Sequence, residues 1–165
     1  MTMGKTVIPE YAAYFEHLQK YRDELKTALE NEREKRQALL GSDMDRLEAV
    51  LSSQQAQTMK LRSLEAKREQ LQEGLCSGVT TASEFVSTLR DEDTKAAFSG
   101  LIAEMTELAA AIKEQNALAL EIAKTNLKLL QKIFPTNNFD QSKAIYGPEG
   151  ERRGDIGGHS VEIKF

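Results

Sequence analysis

The feature that most constrains this sequence is an unbroken helical pattern from Asp93 to Phe134. At 1.5 Å per residue, a stretch of this length forms a helix of about 60 Å. A helix that long needs other helices to bury its apolar stripe, so the pattern predicts a helical bundle or coiled coil. The apolar residues that define the stripe recur at the spacing of one helix face: Phe98, Leu101, Met105, Leu108, Ile112, Ala119, Ile122, Leu129 and Ile133.

The composition favours an all-α fold. Hydrophobic residues make up 40% of the chain and charged residues 29%, whereas aromatic residues make up 6% and tryptophan is absent. Ala, Leu, Glu, Lys, Arg and Gln dominate such a mixture, which is typical of long helices. We therefore expect an elongated antiparallel three-helix bundle or coiled coil with a flexible C-terminal tail.

Two long helices are predicted before the longest one, over about residues 9–40 and 43–75. Pro9 suits the first turn of a helix, and Gly41 can adopt the left-handed conformation that ends one. Ser42 or Asp43 can then cap the second helix. A connection this short predicts that the first two helices are antiparallel neighbours.

The remaining segments are predicted to be connections and termini. Residues 1–8 carry no helical pattern and are expected to be disordered. A short helix over about residues 83–90 leads to the long helix over 93–134, which then runs parallel to the first. Residues 135–165 begin with a proline and are rich in glycine, so we expect a flexible tail.

Polar residues occupy several positions where the helical pattern requires apolar ones. Gln54 and Arg68 fall in a series of residues seven apart that otherwise consists of leucines, and polar residues at such positions fix the register of a coiled coil. Folding the chain about Gly41 places Arg68 opposite Tyr14 and Phe15, so its stem should pack there with the guanidinium against a ring. Charged residues also interrupt the first helix, and we interpret them as its solvated part: Glu32, Lys35 and Arg36.

Two further groups of residues on these helices have predicted roles. Amide side chains interrupt the apolar face of the long helix, and they are expected either to form paired polar layers or to contact a peptide backbone: Gln115, Asn116 and Asn126.

Aromatic residues are expected to gather at the end where the first and longest helices begin, as ordinary core packing: Tyr11, Tyr14, Phe15, Tyr21, Phe85 and Phe98.

The longest helix should extend beyond the first by about ten residues, or about 15 Å. An apolar stripe with no helix of its own chain to cover it is a candidate partner surface. The alternatives are that the tail folds back over this stripe or that a second copy covers it. Lys124, Lys128 and Lys132 are interpreted as residues on its flank that complement the negative end of the helix dipole, with contact to an acidic partner as the alternative. The uncovered apolar residues are Leu127, Leu129, Leu130, Ile133 and Phe134.

No catalytic motif is present in the sequence. It contains no Walker-type glycine loop, no His-Glu-x-x-His, no Gly-x-Ser-x-Gly and no cluster of Cys and His. Cys76 is the single cysteine and is expected to fill space in the connection after the second helix. His17 and His159 belong to segments too different in character to suggest a metal site. We therefore expect no enzyme, no cofactor and no bound metal.

Charge and hydropathy exclude two further classes of partner. The formal net charge is −4 and the two signs are interleaved, which argues against nucleic-acid binding. The longest aliphatic runs, such as residues 108–112, are too short to cross a bilayer, so no membrane insertion is expected. Residues 1–7 have no apolar core of signal-peptide length. These observations predict a cytoplasmic protein.

Three stretches of the chain carry a more specific pattern. The first runs from Leu29 to Asp43 and continues with Leu47, Leu51, Leu61, Leu64, Arg68 and Leu71. The second is Gln115-Asn116 followed by Leu118, Ile122 and Leu130, and the third is the tail segment from Tyr146 to Gly150. Together they resemble the FlgN family of flagellar export chaperones over nearly the whole chain.

This resemblance implies a cytoplasmic chaperone that holds the hook-associated proteins FlgK and FlgL before export. It also implies delivery of these clients to FlhA, a component of the flagellar type III export gate. In that family the C-terminal part of the chain binds the client, and a tyrosine-bearing tail segment is linked to gate docking. The resemblance therefore implies gate docking by Tyr146. Client contact is expected on Ile122, Leu129, Leu130, Ile133 and Phe134.

Two alternatives to a chaperone remain open from the sequence. A structural coiled-coil adaptor would self-associate through the longest helix, whereas a chaperone is expected to be a monomer that forms a one-to-one complex. An enzyme regulator or helical-bundle phosphatase would need an acidic residue and an amide, such as Asn116, aimed at a phosphorylated partner.

Overall fold

The computed structural model describes residues 7–135, and these residues form four α-helices. The described residues contain no β-strand, so this part of the chain is all-α, as the composition predicts. Residues 1–6 and 136–165 lie outside the described part, as do the predictions made for them. The prediction of disorder is wrong for residues 7 and 8, because Val7 packs against the core and the Ile8 N–H donates to the Thr94 hydroxyl at 3.1 Å. The helices are α1 (Pro9–Leu40), α2 (Met44–Leu75), α3 (Ala82–Thr88) and α4 (Glu92–Ile133).

Side chains cap three of the four helix N-termini. The Asp43 carboxylate accepts a hydrogen bond from the backbone N–H of Arg46 at 3.1 Å, and the Asp91 carboxylate accepts one from Thr94 at 2.9 Å. Thr81 caps α3 and forms a reciprocal capping box with the residue three positions later. Each cap satisfies a backbone donor that has no partner within its helix, so the helix starts are fixed locally.

The reversal between α1 and α2 differs from the prediction. Gly41 has a φ of −83°, whereas Ser42 has a φ of 51° and takes the left-handed conformation. The N–H of Gly41 still donates to the carbonyl of Gln37 at 3.0 Å, and the N–H of Asp43 donates to Ala38 at 3.0 Å. Because the hydrogen bonds of α1 continue through Gly41, the chain turns one residue later than expected.

α1 packs against both of the other long helices, α2 and α4. It is antiparallel to α2, since Tyr14 lies beside Gln72 near one end and Glu34 lies beside Arg46 near the other. The backbones of α2 and α4 approach each other much less closely than either approaches α1. Both other long helices, α2 and α4, therefore pack on α1.

α1 and α4 are parallel, and their register defines where α4 becomes uncovered. Leu40 at the end of α1 lies level with about residue 120 of α4, but α4 continues to Ile133. About thirteen residues, or about 20 Å, therefore extend beyond the α1–α2 turn. The register follows from side-chain pairs whose numbers rise together: Phe15 with Phe98, Arg22 with Glu104, and Lys35 with Asn116.

The thickest part of the core lies where α1 and α4 begin, at what we name the packed end. The ring of Phe85 on α3 lies 5.0 Å from that of Tyr14 and 5.5 Å from that of Phe98, measured between centroids. The Phe15 and Phe98 rings are 5.1 Å apart and meet edge to face. Aromatic pairs favour this arrangement, so α3 fixes the packed end through Phe85. The predicted aromatic group is buried or half-buried throughout: Tyr11, Tyr14, Phe15, Tyr21, Phe85 and Phe98.

Candidate partner-binding surface

Residues 120–134, which we name the overhang, expose large apolar side chains to solvent. Four of the five predicted client-binding residues are at least half exposed, and the fifth, Ile122, is half-buried. A run of exposed large apolar side chains on one helix is a candidate interaction site. The exposed fractions are 50% for Leu129, 54% for Leu130, 66% for Ile133 and 66% for Phe134.

The apolar stripe of the overhang continues the face by which α4 packs on α1. A helix turns by about 100° per residue, so Leu101 and Ala119 point in the same direction and Leu130 points within about 20° of it. Leu101 and Ala119 are buried, with 6% and 2% of their surface exposed, whereas Leu130 is more than half exposed. A partner on the overhang would thus lie end to end with the α1–α2 hairpin.

The three lysines of the overhang are exposed to solvent and point away from this stripe. Lys128 is about 180° from Ala119 around the helix axis, and Lys124 and Lys132 lie on either side of it. Lys124 forms an ion pair with Glu121 at 3.3 Å. The row therefore faces away from the stripe, where it complements the negative end of the helix dipole.

Polar residues of α1 contact two amides of α4: half-buried Gln115, on the face that packs on α1, and exposed Asn116 beside it. Arg36 donates to the Gln115 side-chain oxygen at 3.2 Å, and Lys35 donates to that of Asn116 at 2.9 Å. Lys35 also forms an ion pair with Glu32 at 2.7 Å, and their side chains are 12% and 13% exposed. The interpretation of these α1 charges as a solvated surface is wrong, because they bridge neighbouring helices. The amide that a phosphatase would need, Asn116, is engaged by Lys35.

A polar position on α2 also has a polar partner on α1, whereas the polar position in the overhang does not. Gln54 donates to the Glu32 carboxylate at 2.8 Å, so this polar position on α2 has a polar partner on α1. Asn126 lies within about 20° of Ala119 on the packed face of α4 and is half-buried. Within the part of the chain that the structure describes, its side chain forms no hydrogen bond with another side chain.

A second polar group, centred on Arg68, is fully enclosed at the packed end. Its guanidinium donates to both oxygens of Glu65 at 2.8–3.1 Å and to the Gln72 side-chain oxygen at 2.8 Å. The Tyr14 hydroxyl donates to that same Gln72 oxygen at 2.8 Å, so Arg68 and Tyr14 are neighbours as predicted. The partners of the guanidinium are a carboxylate and an amide rather than a ring.

Burial and pairing act in opposite directions on the ionisable groups of this cluster. Burial alone would lower the pKa of Arg68, but its hydrogen bonds and charge interaction with Glu65 outweigh that effect and raise it. Burial raises the pKa of Tyr14 and, more strongly, that of Tyr21. Arg68 therefore stays charged and Tyr14 neutral at physiological pH, which suits a cluster that holds α1 against α2.

Between residues 7 and 135, no group of three or more His, Cys, Asp and Glu side chains could hold a metal ion. No helix there is long and apolar enough to cross a membrane. Cys76 is a half-buried free thiol, and His17 hydrogen-bonds the carbonyl of Leu64 at 2.8 Å. Tyr146 and His159 lie outside the described residues.

Comparison with known proteins agrees with the resemblance carried by the sequence. The family model described as FlgN protein matches residues 3–154, which is most of the chain. Neither the curated proteins nor the solved structures contain a match. The FlgN family is a family of flagellar export chaperones. The chain therefore belongs to the FlgN family, and its general role is that of a flagellar export chaperone.

Proposed function

We propose that this protein is a cytoplasmic chaperone that holds the hook-associated proteins FlgK and FlgL before export and delivers them to FlhA. We further infer that its three long helices act as one elongated antiparallel bundle. The observation that carries the proposal is the exposed apolar stripe of the overhang, which includes Leu130 and Ile133. Membership of the FlgN family supports the chaperone role.

A helical client segment would bind the overhang by burying its own apolar face along this stripe. Subunits that polymerise through terminal helices cannot assemble while those helices are covered. The client-binding side chains are mostly about half exposed, so burying each contributes on the order of 1 kcal/mol. Their total, on the order of 5 kcal/mol, is reduced further by the cost of ordering the client. Such binding is reversible without nucleotide, as delivery for export requires.

Substitutions on the two faces of the overhang test this docking surface. We expect Leu130→Asp together with Ile133→Asp to abolish binding of purified FlgK and FlgL in isothermal titration calorimetry, because the stripe would then carry two charges. The matched control is Lys128→Asp with Lys132→Asp, which places the same residues on the opposite face. It should leave client affinity within about twofold, since distant exposed charges are screened. Equal binding by both variants would rule out the stripe as the docking surface.

Delivery to the export gate is proposed to depend on Tyr146. This assignment rests on the tyrosine-bearing tail segment of the FlgN family and on the sequence, since Tyr146 lies outside the described residues. We expect Tyr146→Ala to reduce binding to FlhA while leaving FlgK and FlgL binding unchanged. A pull-down with each purified partner separates the two effects. Loss of client binding in this variant would contradict the assignment.

A structural adaptor that self-associates through α4 is the second candidate. The arrangement that favours it is that two overhangs can pair stripe to stripe while their lysines, Lys124, Lys128 and Lys132, face outwards. Light scattering separates the candidates, because the chaperone is expected to be a monomer that forms a one-to-one complex with its client. A stable dimer that Leu130→Asp dissociates would favour the adaptor.

A further inference from the structure

Polar residues on and beside the face of α4 that packs on α1 have polar partners on α1. Half-buried Gln115 interrupts this face and accepts a hydrogen bond from Arg36 of α1 at 3.2 Å, and Asn116 beside it, which is exposed, accepts one from Lys35 at 2.9 Å. An amide enclosed in a helix–helix contact without a partner would lose its hydrogen bonds to water, which is unfavourable. The helix that covers α4 therefore has polar residues at the matching positions.

Asn126 occupies an equivalent place on the part of this face that no helix of the described chain covers. It lies in the middle of the overhang, between Ile122 and Leu130, and points within about 20° of buried Ala119. The stripe around it is continuous with the α1–α4 interface, where the covering element is a helix. The overhang is about 20 Å long, which corresponds to about thirteen residues of a partner helix.

We propose that Asn126 is a specificity-determining residue that selects the helix bound by the overhang. The occupant is an amphipathic helix whose apolar stripe contains one hydrogen-bonding side chain, such as an amide, opposite Asn126. A helix with an uninterrupted apolar stripe is rejected because it leaves the Asn126 amide enclosed without a partner. Single polar residues set register and partner choice in coiled coils in the same way. This inference rests on the proposed function, since it defines which client helix the same surface accepts.

Charge does not supply this selectivity. The lysines of the overhang face away from the stripe, and Lys124 is paired with Glu121. A helix seated on the stripe therefore meets apolar side chains and one amide, so its affinity should change little with salt concentration. A steep loss of affinity at high salt would show that charges, not Asn126, direct the choice.

Synthetic peptides provide a direct test with the full-length chain. The probes are capped amphipathic peptides of about eighteen residues, long enough to cover the overhang. One has leucine throughout its stripe, and the others have asparagine at one stripe position each. We expect the wild type to bind one asparagine peptide on the order of tenfold more tightly than the leucine peptide in fluorescence anisotropy. Asn126→Leu should reverse that preference.

The control variants separate failure of this inference from failure of the proposed function. Gln131→Leu makes the same kind of change about 140° around the helix from Asn126 and should leave the wild-type preference intact. Leu130→Asp should weaken every peptide. If Leu130→Asp weakens every peptide but wild type and Asn126→Leu rank the peptides identically, the inference is wrong and the docking surface stands. If Leu130→Asp changes nothing, or no peptide binds the wild type, both are wrong.

A second copy on the stripe is a further outcome of the same experiment. Light scattering at the working concentration detects it as a dimer. A dimer that both Leu130→Asp and Asn126→Leu disrupt would mean that the overhang selects another copy of this chain, and it would overturn the proposal of a separate helical partner.

Discussion

The two ends of α4 share one helix face but have different surroundings. At the packed end, Phe98 is fully buried among rings from α1 and α3. At the other end, Phe134 terminates the helix with 66% of its surface exposed. The amino acid and the apolar stripe are the same, so the difference comes from the companion helices. One end of α4 thus contributes to the stability of the fold, while the other presents the exposed surface that we propose binds a client.

The matched phenylalanines give the largest expected contrast. Phe98→Ala should lower the free energy of unfolding by about 3–5 kcal/mol, because it removes a buried ring and leaves a cavity. Phe134→Ala should change it by less than about 0.5 kcal/mol, as exposed substitutions usually do. Urea denaturation followed by circular dichroism measures both values. Similar losses for the two variants would show that the overhang is covered in solution.

Arg68→Ala tests the polar cluster of the packed end. It leaves the carboxylate of Glu65 enclosed without its partner, so the free energy of unfolding should fall by about 3 kcal/mol. Arg62→Ala is the control, because that arginine lies on the exposed side of the same helix. Its effect should stay within about 0.5 kcal/mol. A small effect of Arg68→Ala would indicate that water reaches Glu65 readily.

Two glutamines on α4 give a smaller contrast between its packed and free portions. Gln115→Ala removes the acceptor of the Arg36 hydrogen bond and should lower the free energy of unfolding by about 1 kcal/mol. Gln131→Ala in the overhang makes the same change at an exposed position and should have almost no effect. Chemical denaturation of both variants in one buffer compares them. A larger loss from Gln131→Ala would reverse the assignment of the two portions.

Acid should weaken the packed end, with the smallest effect of the four. Hydrogen bonds from the backbone of Thr80 and Thr81 lower the pKa of Glu84, and the side chain and backbone of Thr94 lower that of Asp91. Their stabilising contributions are complete above the ordinary values of 4.5 and 3.8 and are lost as the pH falls through the lower folded-state values.

The corresponding measurement is thermal unfolding as a function of pH. Glu84→Gln with Asp91→Asn should be less stable than the wild type at pH 7, and the two should converge as the pH falls below the ordinary carboxyl values. Curves that stay parallel down to the lowest pH would contradict the assignment of these caps as ionised stabilising groups.

Local patterns predicted the helices and the location of the exposed stripe well. Helical periodicity and the short turn after Leu40 are properties of neighbouring residues, so α1, α2 and the overhang could be deduced directly. The seven-residue series also predicted that Arg68 lies beside Tyr14, because register follows from the turn. Predicting the overhang required only the relative lengths of α1 and α4.

Features that depend on which helix packs against which could not be predicted from local sequence patterns. A sequence does not show which helix covers which, so the polar residues Glu32, Lys35 and Arg36 were interpreted as solvated although they bridge helices. For the same reason, the sequence does not show that α1 packs against both α2 and α4. The left-handed residue at the turn is Ser42 rather than Gly41 because backbone hydrogen bonds, not residue preference alone, decided where α1 ends.

The position of α1 between its two neighbours has a consequence for synthesis on the ribosome. Its pairing with α2 joins segments that emerge one after the other, whereas contacts such as Arg22 with Glu104 join residues 82 positions apart. At about 5–20 residues per second, the nascent chain needs several seconds to extend from the end of α2 to the end of α4. During that interval the nascent hairpin must exist with one side of α1 unprotected.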